Sequence, residues 1–291
     1  MFEKTSAGWD LAKQSWQVLK LDKELIVFPL LSGIACLLVS ASFAAPLVML
    51  EDTGLGNSSA SQYAVADQDG EISVTNVLTL IGALAYYVAN YFVIVFFNSA
   101  LIACALIRFK GGNPTLRDGF SAALARLPQI FCWALVAGTV GMLLRILQSN
   151  TKNWLSRFLV GLLGVAWSSA TYFVVPVIVV EKLGPLAAGK RSLEILRTTW
   201  GQSLGANFGI GCIVFFITLA SFVPVILGVI CLAMELTVVG IALLLAGLAI
   251  IMIVVLISSA LDSIILAALY LYAAEGRIPD QFQGDAIQTA F

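Results

Sequence analysis

Histidine is missing from the chain altogether, which removes the commonest general base, proton shuttle and metal ligand from any chemistry it could carry. Charge is scarce as well. Asp, Glu, Lys and Arg make up 11% of the 291 residues, roughly half the share usual for a soluble domain, so the chain cannot cover a water-facing surface. Five cysteines, Cys36, Cys104, Cys132, Cys212 and Cys231, all fall inside apolar runs with no C-x-x-C spacing and read as reduced packing residues. No nucleophile and base can be assembled in a familiar arrangement without histidine, and no soluble lobe is present to hold a substrate. An enzyme is therefore the least favoured class. No cofactor, metal, nucleotide or nucleic-acid partner is expected.

What the chain has in excess is apolar length. Uncharged runs long enough to cross a hydrocarbon core, about 20 residues, recur at 25–50, 76–107, 128–148, 158–180, 204–233 and 236–274. The expectation is an all-α polytopic membrane protein with six transmembrane helices. The second and last runs exceed the minimum and should tilt, kink or project. Met234 and Glu235 leave room only for a tight turn between the last two. The opening 25 residues mix acids with lysines and lack an early apolar core, so the first span is expected to be retained.

Basic residues sort by side. Lys4, Lys13, Lys20, Lys23, Arg108, Lys110, Arg117, Arg126, Lys182, Lys190, Arg191, Arg197 and Arg277 fall on one side of this arrangement, and only Arg145, Lys152 and Arg157 on the other. The positive-inside rule then puts both termini in the cytoplasm. The outer segment from Glu51 to Glu71 holds five acids and no base and reads as a flexible, solvated loop.

An internal repeat links the even-numbered spans. FNSALIACALIRFKGGNP closes the second and LDSIILAALYLYAAEGRIP the sixth, so that Asn98 and Ser99 pair with Asp262 and Ser263. SSATYFVVPVIVVEKLGP, which closes the fourth, fits less strictly and offers Ser169 and Thr171. The chain is thus read as one membrane domain over 1–291, with units at about 7–112, 113–184 and 185–278 and a cytoplasmic tail at 279–291. Each unit is a hairpin preceded by a cytoplasmic interfacial amphipathic helix. In the first such helix Trp9, Ala12, Trp16 and Leu19 recur at helical spacing beside Lys13, Lys20 and Lys23. The second is TLRDGFSAALARL, with Arg117 and Arg126, and the third LAAGKRSLEILRTTW, with Lys190, Arg191, Arg197 and Trp200. These cations and tryptophans are candidates for contact with anionic lipid headgroups, at about 1 kcal/mol per cation near a charged surface. The alternative is an ordinary amphipathic helix docked on protein.

The third helix contains a decoy. GPLAAGKRS satisfies the glycine and lysine positions of a phosphate-binding loop, but Arg191 stands where Ser or Thr must hold magnesium, and Ser192 comes one residue late. Its place at a handover between span and amphipathic helix argues against nucleotide binding.

Two sequence features resemble known proteins. SWQVLKLDKELIVFPLLSG looks like the opening of a family of uncharacterised prokaryotic integral membrane proteins, and the Gly-rich handover followed by SLEILRTTWGQSLG is similar to the six-span membrane domain attached to some glycerophosphodiester phosphodiesterases. The resemblance implies helical hairpins with interfacial helices, an inner-membrane location and no settled activity. The phosphodiesterase catalytic domain is absent.

Asp262 is the one ionisable residue far from both ends of a span, about 18 Å along the helix from Ala274, where a charge costs about 2.5 to 3.5 kcal/mol on insertion scales. If the repeats pack around a pseudo-threefold axis, Asp262, Asn98, Ser99, Ser169, Thr171 and Ser263 converge on one polar mid-membrane site. Ser168, Ser258 and Ser259 would supply further oxygens along the path. The first reading is a channel or transporter for cations or small solutes, oligomeric in one version. The alternative is a membrane-organising or lipid-binding scaffold. Pro29, Pro128, Pro176 and Pro224 are expected to kink spans. Gly161 and Gly164, or Gly205, Gly209 and Gly211, should mark close helix packing.

Overall fold

The computed structural model describes residues 2–52, 74–150, 153–199 and 219–282. It contains helices and no strand among the described residues. In order these are α1 Phe2–Leu21, a 3-10 turn Lys23–Ile26, α2 Val27–Asp52, α3 Val74–Phe109, α4 Leu116–Leu124, α5 Leu127–Asn150, α6 Trp154–Ala170, α7 Val174–Glu181, α8 Pro185–Thr199, α9 Val223–Ala233 and α10 Thr237–Glu275. Five stretches are long and apolar enough to cross a membrane: Lys23–Ala44, Leu80–Phe109, Leu127–Ser149, Trp154–Glu181 and Thr237–Glu275. The fifth expected span, 204–233, lies partly outside the described residues, which leave the shorter apolar helix Leu219–Ala233.

Helix α3 is the hub and packs against α2, α4, α5, α7 and α10. Every residue from Ala100 to Leu106 is at most 6% exposed, so over two turns the helix is enclosed on all sides, and a stripe on one face would not suffice. The second half of α10, from Ala260 to Leu271, and Phe173 to Ile178 complete this core. The first half of α10 is the opposite case: Val238 is 83% exposed and Leu245 and Leu248 are also bare. Apolar and exposed together is what a lipid-facing surface requires.

Five prolines sit at helix starts, while Pro46 lies inside α2. Pro29, Pro128, Pro176, Pro185 and Pro224 all lie within the first three residues of α2, α5, α7, α8 and α9, where the missing N–H has no intrahelical partner to lose. They bound helices more than they bend them. Within the fourth span, Trp154–Glu181, the helix is interrupted ahead of Pro176, whose ring clashes with the carbonyl four residues earlier; α6 ends at Ala170 and α7 restarts at Val174.

Glycines mark some close approaches but not those expected. A Cβ on Gly119 of α4 would meet Phe28 at 2.6 Å, Cys104 Sγ at 2.7 Å and the Ala100 carbonyl oxygen at 2.9 Å, so only glycine lets α4 lie on α3. Gly228 and Gly240 face each other across the α9–α10 hairpin, each Cβ position 3.0 Å from the other's carbonyl oxygen. The hairpin turns at Met234 and Glu235, where it was expected. Gly161 and Gly164, by contrast, have nothing within 4 Å; their spacing could support packing, but no helix among the described residues lies against them. Gly205, Gly209 and Gly211 lie outside the described residues.

Left-handed residues follow four helices among those described: Gly111 (φ 81°) after α3, Lys182 (φ 59°) after α7, Glu235 (φ 63°) after α9 and Gly276 (φ 66°) after α10. Gly111, Lys182 and Gly276 mark the three handovers noted in the sequence. Pro279 to Phe282, expected to begin a solvated tail, instead fold onto the bundle: Phe282 is 4% exposed and meets Phe109 edge-on at 5.6 Å.

Candidate functional site

The polar span positions are dispersed. Asp262 is exposed on α10, whereas its neighbour Ser263 is buried and donates to the Ser259 carbonyl at 3.1 Å. Consecutive helical residues point about 100° apart, so these two cannot both face the same interior. Ser99 is fully buried in α3, and its hydroxyl has no hydrogen-bonding partner among the described residues. Asn98 and Ser169 are half-buried, and the Thr171 hydroxyl donates to Trp167 of its own helix at 2.8 Å. Among the described residues no hydrogen bond joins any two of Asp262, Asn98, Ser99, Ser169, Thr171 and Ser263.

The tightest polar structure lies instead where the spans end in basic residues. Asp22, in the link between α1 and α2, accepts from both Nε and Nη2 of Arg108 in a two-pronged pair, with side chains 7% and 18% exposed. Arg108 also donates to Asn113 Oδ1 at 2.6 Å. A planar guanidinium suits this grip, which two buried charges need to offset desolvation. A second cluster joins three helices: Glu181 accepts from Arg191 Nε at 3.1 Å and from the Tyr270 hydroxyl at 2.9 Å, and Arg191 reaches Glu194 at 3.5 Å. The hydrogen bond that Arg191 donates to the Glu181 carboxylate is the main reason its guanidinium is held above its ordinary range.

Ser192, the letter that arrives late in the false phosphate loop, has a structural task. It is fully buried, accepts from the Phe173 N–H at 3.0 Å and donates to the Ala170 carbonyl at 2.7 Å. One hydroxyl thereby satisfies both backbone groups left over where α6 breaks into α7.

The amphipathic helices each dock one face. On α1, Leu11, Ser15, Val18 and Leu19 are buried and the helix packs on α10. The stripe expected at Trp9, Ala12, Trp16 and Leu19 is split: Leu19 is buried, Ala12 half-buried and Trp16 exposed. Leu11 and Val18 outcompete it because the protein, not only the headgroup layer, offers a surface. Trp9's side chain and the whole of Trp200 lie outside the described residues. Lys13 and Lys20 are exposed, with Lys20 Nζ 5.5 Å from the Trp16 ring centroid, within cation–π range. On α4 Arg117 is exposed, and just after it Arg126 donates to the Ala125 carbonyl at 3.2 Å. Thr115 and Asp118 form a reciprocal capping box at the start of α4; the Thr115 hydroxyl and backbone N–H hold the Asp118 carboxyl below its ordinary value. On α8 Lys190 and Arg197 are exposed, as is Leu186 at 74%.

Arg108 was legible in the sequence only as a topological charge and Arg191 as that and a headgroup candidate, without their partners. Asp22 and Glu181 were the available signal: lone acids flanking spans among basic residues.

These helices define the class, an all-helical integral membrane protein. Residues 77–280 match a family of unknown function, DUF6159, and the chain belongs to that family. No protein of curated description matches it. The family brings no activity with it, and the similarity to membrane domains of glycerophosphodiester phosphodiesterases finds no support in these comparisons.

Proposed function

We propose that this is a non-enzymatic membrane organiser that holds three amphipathic helices at the cytoplasmic headgroup layer of a prokaryotic inner membrane and engages anionic lipid through them. One observation carries this reading: each amphipathic segment buries one face against the bundle yet leaves cations beside exposed apolar side chains. Lys20 stands with Trp16 and Leu21, Arg117 on the helix that ends at Leu124, and Lys190 on the helix that exposes Leu186. A stem lying along apolar surface with its charge at the phosphates is how such residues sit at a membrane interface. The test uses the protein in nanodiscs containing brominated phosphatidylglycerol or brominated phosphatidylcholine, with Trp16→Phe isolating one ring. Stronger Trp16 quenching by the anionic lipid, lost in Lys13→Gln/Lys20→Gln, is expected. No quenching of Trp16 by either lipid would sink the reading.

Transport is the second reading, and Asp262 favours it. An acid exposed on a membrane-spanning helix becomes part of a path if a second copy of the chain packs there, giving a homo-oligomer with the conducting route between subunits. Cation flux into liposomes that falls in Asp262→Asn at matched incorporation would raise this reading above the first. Equal or absent flux in both would retire it. The order reverses the one suggested by the sequence, because Asp262 and Ser263 face different surroundings.

A further inference from the structure

A cavity of about 450 Å³ lies where α3 and α10 end, within the range that holds a small ligand. Its shape follows from the chain reversal after α10. Gly276 takes a left-handed conformation, Arg277 N–H returns to the Leu271 carbonyl at 3.3 Å, and the following residues cross towards the end of α3. There Gln281 Nε2 donates to the Arg108 carbonyl at 3.3 Å, and Phe282 stacks edge-on against Phe109.

The lining is part apolar and part charged. Phe109, Leu271 and Ile278 contribute apolar surface, while Lys110, Arg277, Glu275 and Asp280 supply two cations and two carboxylates. All four charged residues are exposed, and among the described residues none of them is in an ion pair. Gln281 Oε1, in the same segment, is buried with no hydrogen-bonding partner among the described residues. Opposite charges that share one cavity without neutralising each other present a potential of both signs, and complementarity then selects a ligand that also carries both. A simple anion would meet two carboxylates, and a simple cation an Arg and a Lys.

We infer that this cavity binds the headgroup of a zwitterionic phospholipid of the phosphoethanolamine type. Its phosphate lies towards Lys110 and Arg277, its ammonium towards Glu275 and Asp280, and the start of its glycerol over the apolar floor. The lipid source follows from position, because both helices that end here are membrane-spanning. The site does not involve the amphipathic helices, so it stands or falls separately from their engagement of anionic lipid.

Calorimetric titration of the full chain in detergent micelles tests this, with dihexanoyl-phosphatidylethanolamine, dihexanoyl-phosphatidylglycerol and free phosphoethanolamine as probes. The ethanolamine lipid should bind saturably at one site, at least about tenfold more tightly than the glycerol lipid. Glu275→Gln/Asp280→Asn should abolish that preference, and Lys110→Gln/Arg277→Gln should weaken both lipids. Because all four side chains are exposed, circular dichroism should show every variant folded. Equal binding of the two lipids to the native chain, or variants with unchanged isotherms, would overturn the site. Free phosphoethanolamine binding as tightly as the lipid would overturn the lipid as its occupant.

Discussion

Ser192→Ala removes one oxygen and orphans two backbone groups. The Phe173 N–H has Ser192 Oγ as its partner at 3.0 Å, and the Ala170 carbonyl receives the same hydroxyl at 2.7 Å. Phe173 is fully buried, so water cannot replace the lost bond. A buried group left unsatisfied costs about 1–3 kcal/mol; with two such groups and some relaxation, Ser192→Ala should destabilise the protein by about 2–4 kcal/mol. Mixed-micelle denaturation followed by far-ultraviolet circular dichroism measures this, with Ser149→Ala as the control. The Ser149 hydroxyl bonds Ile146 on an exposed face, so its loss should shift stability by less than about 0.5 kcal/mol. A second background sharpens the test. Pro176→Ala removes the ring that keeps α6 and α7 apart, so the Phe173 N–H can find a helical carbonyl. The cost of Ser192→Ala should then shrink, with a coupling of about 1–2 kcal/mol between the two sites. If Ser192→Ala is as stable as the control, or its cost is unchanged without Pro176, the hydroxyl does not hold the break.

Gly119→Ala should destabilise by about 1–3 kcal/mol through overpacking, since its new methyl meets the Ala100 carbonyl oxygen at 2.9 Å. Gly161→Ala, with open space around it, should instead be neutral or gain up to about 1 kcal/mol of helix propensity, and the same denaturation assay separates the two. Asp22→Asn should lose about 3 kcal/mol or more by leaving Arg108 buried without its counter-charge, and a stability loss no greater than that of an exposed Lys13→Gln would contradict the pairing. The Asp118 carboxyl, held low by Thr115, contributes cap stability that is complete above the unfolded value near about pH 3.9 and disappears as pH falls through the lower folded value. Hydrogen exchange in α4, corrected for intrinsic rates, should therefore accelerate only below about pH 4, and Thr115→Ala should remove that dependence.

Apolar length was enough to locate five spans, because a hydrocarbon core imposes one requirement on every segment that crosses it. It was also enough to place the turn at Met234 and Glu235, where no other residues separate two apolar runs. Partnership was less legible. Gly161 and Gly164 have the spacing of a packing face, yet spacing does not say which helix arrives, whereas Gly119, unremarkable in LRDGFSAAL, is where one helix lies on another. Asp22 and Arg108 are 86 residues apart, and nothing local announces their meeting. The interruption within the fourth span was legible in Pro176, whose ring opposes the turn before it. Asp262 was recognisable as unusual, but helical periodicity on a helix apolar all round gives no inward face, so its exposure was not foreseeable. On α1, Leu11 and Val18 define a better stripe than Trp16. The tryptophans drew attention because the headgroup layer was considered before the protein surface.

The prolines at the helix starts bear on how this protein responds to its membrane. A span that begins freely can wind an extra turn when the bilayer thickens. One with proline in its first turn cannot, because the ring blocks the preceding turn. Pro128, second in α5, stands at the very start of the span Leu127–Ser149, whereas helical residues already precede Pro29 and Pro224 in theirs. At that end of α5, adjustment to a thicker bilayer is left to tilt and to the lipids themselves. One end of one span is thus a fixed mark, and the surrounding membrane must conform to it there.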